Sequence, residues 1–443
     1  MRLKSRLLTA ALACAIPGLA HAAALSDTLR SGSISDTVRS LTDSSETYAL
    51  YLPSAYDKSH RWPVLFLMDP RGRALLPLRL FRAAAERYGW IVMSSYQTQS
   101  DGPIEPNDKA VNAMLGDAQS RFSVDAHRFY FAGFSGTGRI AWYYGYSIPD
   151  NVAGLIEVGA GLPTPDFLLQ KSVAKTVTPF AVYLSVGTTD FNYDEVETLD
   201  TRLGAFGIRH HLQTFDGPHS WPPESVSADA ITWLQLQAMR DGRLTKNSRW
   251  IDSLFTATAA RVDSIARRDQ YSAAIRYRQL AADFAGLHDT TGVAALAARL
   301  ANSDPAKRTA RRVASLAGDN QSALERQESF FSEFSQARTA APLEKIRAQL
   351  RLDELQDRAR QTADTLDAFA ARRLLASINV RASFYEPRRY LAQGDTLKAL
   401  SMYALAQSIH PEDTQLCAER DRLYRQFADR RSVPRELSCD QRR

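Results

Sequence analysis

Between about residue 45 and residue 240, short apolar runs alternate with segments of helical period, and after about residue 243 those runs stop. The runs are TYALYLPSAY, PVLFLMD, WIVMSSY, RFYFAG, VAGLIEVGAG and FAVYLSVG, rich in Val, Ile, Tyr and Phe. Most are apolar at consecutive rather than alternate positions, so both faces of each strand need cover. Segments such as LRLFRAAAERYG and NDKAVNAMLGDAQSRF lie between them and can supply it. The pattern predicts an α/β fold, a mostly parallel sheet with helices on both faces. In such sheets, chemistry belongs to loops beyond the carboxyl ends of the strands.

Residues 245–443 read as an all-helical domain. SALERQESFFSEFSQA and TLKALSMYALAQSI, among others, show helical spacing with charged outer faces. YLAQGDTLKALSMYALAQSIHP resembles the second half of a tetratricopeptide repeat. Tyr390, Gly394, Ala399, Tyr403, Ala406 and Pro411 stand where that repeat has aromatic, glycine, small, aromatic, small and proline residues. Pro387 departs from its first half, and DQYSAAIRYRQLAADF is a fainter copy. A generic helical bundle is the alternative, because a stable array needs about three repeats.

The first 22 residues, MRLKSRLLTAALACAIPGLAHA, are read apart from the fold. Arg2, Lys4 and Arg6 precede an apolar stretch, then Pro17 and Gly18, then Ala20-His21-Ala22. This is the order of a secretory signal cleaved after Ala22, and it predicts export to the periplasm or the medium. Ala11-Leu12-Ala13-Cys14 offers the alternative of a lipid anchor at Cys14, although Ala11 stands where leucine is usual. Export leaves Cys417 and Cys439, and two cysteines in an oxidising compartment predict a disulfide. Losing the three cations of the signal lowers the formal net charge from +6 to +3, too little to argue for a nucleic-acid partner.

The stretch RFYFAGFSGTGRIAWYYG begins as a buried strand and ends as a helix, with Ser135 between Gly133, Gly136 and Gly138. Glycine alone would serve a tight turn, but a single hydroxyl on such a corner also suits a nucleophile. A serine hydroxyl needs a base within hydrogen-bond reach and a third group to orient that base. Searching downstream in the order serine, acid, histidine gives Asp190 in FAVYLSVGTTDFNYDEVETL and His219 in HHLQTFDGPHSWPP. Each follows a predicted strand end. Asp194, Glu195 and Asp216 compete for the acid role, with Asp194 and Glu195 expected at a helix start, where carboxylates favour the dipole. His210 and His211 lie on the strand IRHHLQTF, one inward and one outward, and are read as structural. Asp69 and Arg71 read equally as parts of a surface turn. No metal-ligand spacing and no phosphate-binding glycine loop is visible, and acyl transfer at serine requires no cofactor.

Four blocks, MDPRGR, GFSGTGRIA, GTTDFNYDE and DGPHSW, together resemble secreted bacterial esterases of the α/β-hydrolase superfamily, of the polyhydroxybutyrate-depolymerase and feruloyl-esterase kind. The resemblance covers roughly residues 45–240, within a catalytic domain taken as 23–242. It implies Ser135 as nucleophile, His219 as general base and Asp190 as the acid that holds the imidazole. It further implies that the backbone N–H groups of Gly136 and Arg71 bind the oxyanion. One position departs, since Thr137 stands where the family elbow usually has glycine; its side chain is expected to face a neighbouring strand or loop. The substrate implied is a small or polymeric ester. The rival readings are a peptidase or acyltransferase on the same triad, and a binding or assembly protein whose helical domain holds a partner or a second copy.

Overall fold

The computed structural model describes residues 29–164, 178–362, 365–428 and 437–439. The signal sequence and Cys14 lie outside the described residues. Eight strands form one sheet: β1 (Ile34–Arg39), β2 (Thr47–Tyr51), β3 (Trp62–Met68), β4 (Ile91–Ser95), β5 (Val124–Phe134), β6 (Val152–Val158), β7 (Ala181–Gly187) and β8 (His210–Phe215). Their spatial order is β1-β2-β4-β3-β5-β6-β7-β8. β1 pairs with β2, and β2 with β4, in antiparallel register, and every other pairing is parallel. Val64 to Met68 of β3 are all fully buried, as a strand covered on both faces requires.

Five helices among the described residues supply the cover. On one face lie α1 (Leu75–Tyr88) and α5 (Glu224–Arg240), which pack Leu78, Phe81, Ile231 and Leu234 against Leu65, Leu67 and Tyr183. On the other lie α2 (Glu105–Arg121), α3 (Gly136–Ser147) and α4 (Tyr193–Ala205), with Met114, Trp142 and Leu199 against Phe66, Phe131 and Leu184. Each large apolar side chain removed from water in these two layers contributes about 1.5–3 kcal/mol. β1, ISDTVR, is absent from the apolar runs visible in the sequence. It is an edge strand in which Val38 is buried while its neighbours are exposed, so it has no apolar run to show.

The chain continues in helices: α6 (Ser248–Ala266), α7 (Gln270–Asp283), α8 (Thr291–Ala301), α9 (Asp304–Gln336), α10 (Leu343–Gln349), α11 (Leu352–Arg360) and α12 (Thr365–Val380). A π-helical turn (Arg381–Tyr385) leads into α13 (Glu386–Ala392), followed by α14 (Thr396–Ile409) and α15 (Thr414–Ala428). Asn247, Asp269, Ser303 and Asp395 cap α6, α7, α9 and α14, each accepting a backbone N–H three residues on. Such caps are worth about 1 kcal/mol each. The π turn has a local cause. Pro387 has no N–H for the next helical bond, and the Glu386 N–H reaches back to the Arg381 carbonyl.

The two halves are not separated by an open linker. Leu236 and Met239 of α5 share a core with Ile251, Val262, Tyr277 and Leu280 of α6 and α7. Asp283 binds back to the sheet layer, accepting from Trp233 Nε1 at 2.7 Å and meeting His211 Nδ1 at 2.9 Å. At the chain end, Cys417 and Cys439 form the expected disulfide, with their Cα atoms 5.5 Å apart.

Candidate active site

Strand β5 ends at Phe134 and helix α3 begins at Gly136, leaving Ser135 alone on the corner. Its backbone is held at φ +56°, ψ −132°, a conformation that costs a non-glycine residue about 1–3 kcal/mol. The surroundings enforce it: the Ser135 N–H donates to the Val158 carbonyl at 2.8 Å, and its own carbonyl accepts from Gly138 at 2.9 Å. A Cβ on Gly133 would lie 2.2 Å from the Thr137 carbonyl oxygen, and one on Gly136 would lie 2.5 Å from Ser100 Cβ. Both glycines are therefore steric requirements of the corner. As the first residue of α3, Gly136 carries an N–H with no intrahelical acceptor.

Thr137 occupies the space where the family resemblance leads us to expect glycine. Its side chain is fully buried and turned away from the pocket, as anticipated. The hydroxyl lies 2.6 Å from the Met68 carbonyl and 2.8 Å from the Phe134 carbonyl, and it accepts from the Phe134 N–H at 3.1 Å. Threonine thus ties the elbow to the end of β3, without crowding the face on which Ser135 stands. Beneath α3, burial pushes the Glu157 carboxyl well above its ordinary range, and it accepts from Trp142 Nε1 at 2.5 Å.

Asp190 and His219 lie on the loops that follow β7 and β8. His219 Nδ1 is 2.8 Å from Asp190 Oδ1 and 2.9 Å from Oδ2. Asp190 is fully buried and also accepts the Asn192 N–H at 2.8 Å. The imidazole is gripped between two rings, with Phe134 and Phe191 centroids 4.5 and 4.2 Å away. The competing carboxylates are elsewhere. Asp194 and Glu195 are in the first turn of α4, where Glu195 pairs with Arg139 at 2.7 Å, and Asp216 faces Thr188 at the surface. His210 and His211 are both half-buried: His210 pairs with Asp200 at 3.2 Å, and His211 pairs with Asp283. Neither simply points outward, because the helical layers cover both faces of β8.

Ser135 and His219 line one cavity. No hydrogen bond joins them in this conformation; such bonds commonly tighten only when substrate is bound.

The Arg71 N–H, which the resemblance assigns to the oxyanion, donates to Asp69 Oδ1 at 2.9 Å. Asp69 is fully buried at the end of β3 and gathers the whole MDPRGR turn onto its carboxylate. It accepts the Arg73 N–H at 3.1 Å, Arg73 Nε and Nη2 at 3.0 and 2.9 Å, and Trp221 Nε1 at 2.8 Å. Burial alone would raise its pKa, yet these donors outweigh it and hold Asp69 below the usual carboxylate range. The sequence reading misses this role, because Asp-Pro-Arg-Gly also reads as an ordinary surface turn. Arg73, four residues on, is the available signal.

The helical half takes part in the site. Arg373 of α12 reaches the acid loop, 3.4 Å from the Thr188 carbonyl and 4.1 Å over the Tyr193 ring. The cavity at Ser135 is bounded by α12, the π turn and α13 as well as by the sheet loops, and its volume is about 1690 Å³.

The β1-β2-β4-β3-β5-β6-β7-β8 order and the strained serine corner after β5 agree. The first half has the α/β-hydrolase fold. No protein-family model and no curated protein matches the sequence. Among solved structures, it is similar to FphF, a fluorophosphonate-binding serine hydrolase of Staphylococcus aureus, at 16% identity and TM-score 0.38, covering 45% of this chain and 96% of that one. It is similar to the S-formylglutathione hydrolase FrmB of the same organism at 17% identity and TM-score 0.38, covering 46% and 98%. It is also similar to the feruloyl esterase module of Clostridium thermocellum at 14% identity and TM-score 0.37, covering 45% and 86%. Each likeness spans less than half of this chain.

Proposed function

We propose that this chain is an exported serine hydrolase that cleaves carboxylic esters through an acyl-serine intermediate. The observation that carries the reading is the strained Ser135 corner opening on the cavity that His219 also lines, with the imidazole held from behind by buried Asp190. Asp190 accepts the Nδ1 proton of His219, which leaves Nε2 with a lone pair to take the Ser135 proton. The Ser135 oxygen attacks the ester carbonyl, and the tetrahedral oxyanion is held by the Gly136 N–H, an interaction worth about 3 kcal/mol for one donor. Collapse expels the alcohol, which receives the proton from His219. Water, deprotonated by the same imidazole, then attacks the acyl-serine, and collapse releases the acid while the imidazolium returns the proton to the Ser135 oxygen.

The buried hydroxyl of Thr137 bears on the non-catalytic reading. A threonine in place of the elbow glycine would favour a retired scaffold if it closed the corner, but its side chain supports the elbow rather than blocking it. Export accords with the disulfide, and no helix among the described residues is long and apolar enough to cross a membrane. Hydrolysis of matched p-nitrophenyl esters and p-nitroanilides by one preparation tests the bond class. The ester reading expects ester turnover well above that of the anilide; the reverse order would make the protein an amidase.

A further inference from the structure

From α12 through the π turn to α13, one side of the helix faces the cavity at Ser135. Arg372, Leu375, Ala376, Val380, Phe384 and Arg388 all line it, spaced three, one, four, four and four residues apart. That spacing keeps them on a single stripe. At about 1.5 Å per residue the stripe runs about 24 Å, with an arginine at each end; Asn379, Ser383 and Tyr385 line the cavity beside its apolar side chains. The arginines on the rest of this segment are paired: Arg373 lies 3.8 Å from Asp194, Arg381 bonds Glu328 and Glu386, and Arg389 bonds Glu386 at 2.5 Å. Arg372 and Arg388 differ. Among the described residues neither has a carboxylate partner: Arg388 stacks 3.6 Å over Phe384, and Arg372 donates its Nε to the Ala359 carbonyl at 3.0 Å. The terminal guanidinium groups of both remain to donate, and a guanidinium fork suits carboxylate or phosphate.

The opposite wall mixes Glu46, Asp101 and Glu105 with Arg71, Arg73 and Lys109, of which Arg73 is bound to Asp69 and Lys109 lies 3.6 Å from Glu46. Among the described residues the helical wall carries no acid. A cavity of about 1690 Å³ also exceeds the roughly 300–1,000 Å³ that a compact ligand fills. We propose that the substrate is an ester with an extended apolar body ending in an anion, laid along this stripe so that the anion meets Arg372 or Arg388 while the ester reaches Ser135. The proposal rests on the serine-hydrolase reading above and adds the substrate class to it.

The test uses the mature full chain and compares mono-p-nitrophenyl suberate, p-nitrophenyl octanoate and the same chain ended by phosphate, with rates expressed per serine titrated in the burst. The wild type is expected to favour an anion-ended ester over the octanoate by about tenfold in kcat/KM, the scale of one charged hydrogen bond. Whichever anion is favoured names the source. The preference should shrink at high salt and fall to near unity in the Arg372→Gln, Arg388→Gln double variant. Equal rates on charged and neutral esters in the wild type would overturn the proposal, as would a preference that survives both substitutions. A chain that turns over none of the esters and shows no burst would overturn the hydrolase reading and the substrate class together.

Discussion

Trp221 Nε1 donates to Asp69 Oδ2 at 2.8 Å, joining two loops that are 152 residues apart in the chain. Asp69 ends the strand beside the nucleophile strand, and Trp221 stands two residues after His219. One buried carboxylate thus fixes the MDPRGR turn and the histidine loop in a common frame, while Asp190 grips the imidazole from the other side.

Asp69→Asn should destabilise the protein by about 3 kcal/mol, the scale of breaking a buried pair. An amide has two donors of its own and would set one against Arg73 or Trp221. The pH dependence has a definite sign. Asp69 has a lowered pKa in the folded state, so its contribution is fully present above the unfolded value of about 3.9 and is lost as pH falls below it. The difference in Tm between wild type and Asp69→Asn should be constant from neutral pH down to about 5, then narrow as pH falls below about 4. A difference that widens on acidification would contradict this account.

Thr137→Gly restores the family spacing but removes a buried hydroxyl that serves the Met68 and Phe134 carbonyls and the Phe134 N–H. Lost hydrogen bonds cost about 1 kcal/mol each, and glycine at a helix start costs up to about 1 kcal/mol more. A loss of about 2–3 kcal/mol in urea unfolding is expected. Thr137→Ser, which keeps the hydroxyl, should recover most of it. A glycine variant as stable as the parent would show that the hydroxyl is not the tie described.

The disulfide between Cys417 and Cys439 closes 22 residues of chain. On the chain-entropy model, the paired Cys→Ser variant should lose about 3 kcal/mol. Peptide mapping without reductant should recover the linked peptides from protein made in an oxidising compartment. Two freely alkylated thiols in that material would contradict the pairing.

Much of this site was legible because it obeys chain order and strand position. Ser135, Asp190 and His219 each follow an apolar run, and the structure brings the last two into contact while placing the first at the same cavity. The edge strand Ile34–Arg39 was not legible, since one buried valine makes no pattern. Asp69 was hidden for a different reason: its partner Trp221 is remote in sequence, and local signals favour a plain turn. The involvement of α12 to α13 was hidden too. Helical spacing shows which residues share a stripe, but not which surface the stripe will meet.

Among the carboxylates near the loops, the structure favours Asp190 as the partner of His219. Asp190→Asn should lower kcat/KM on a p-nitrophenyl ester by about 10⁴-fold, because an amide supports the wrong imidazole tautomer. Asp194→Asn and Asp216→Asn should stay within about threefold, since Asp194 is paired with Arg373 and Asp216 with Thr188 rather than with the imidazole. A silent Asp190→Asn beside a crippled Asp194→Asn or Asp216→Asn would reassign the acid.

The central claim is that Ser135 is an activated nucleophile, and covalent capture reads that state directly. The folded chain is exposed to a fluorophosphonate and the adduct is located by peptide mass spectrometry. One adduct at Ser135 is expected, absent in Ser135→Ala and strongly slowed in His219→Ala, with circular dichroism unchanged in both variants. A folded wild-type chain that remains unlabelled, or one labelled equally well without His219, would contradict the account.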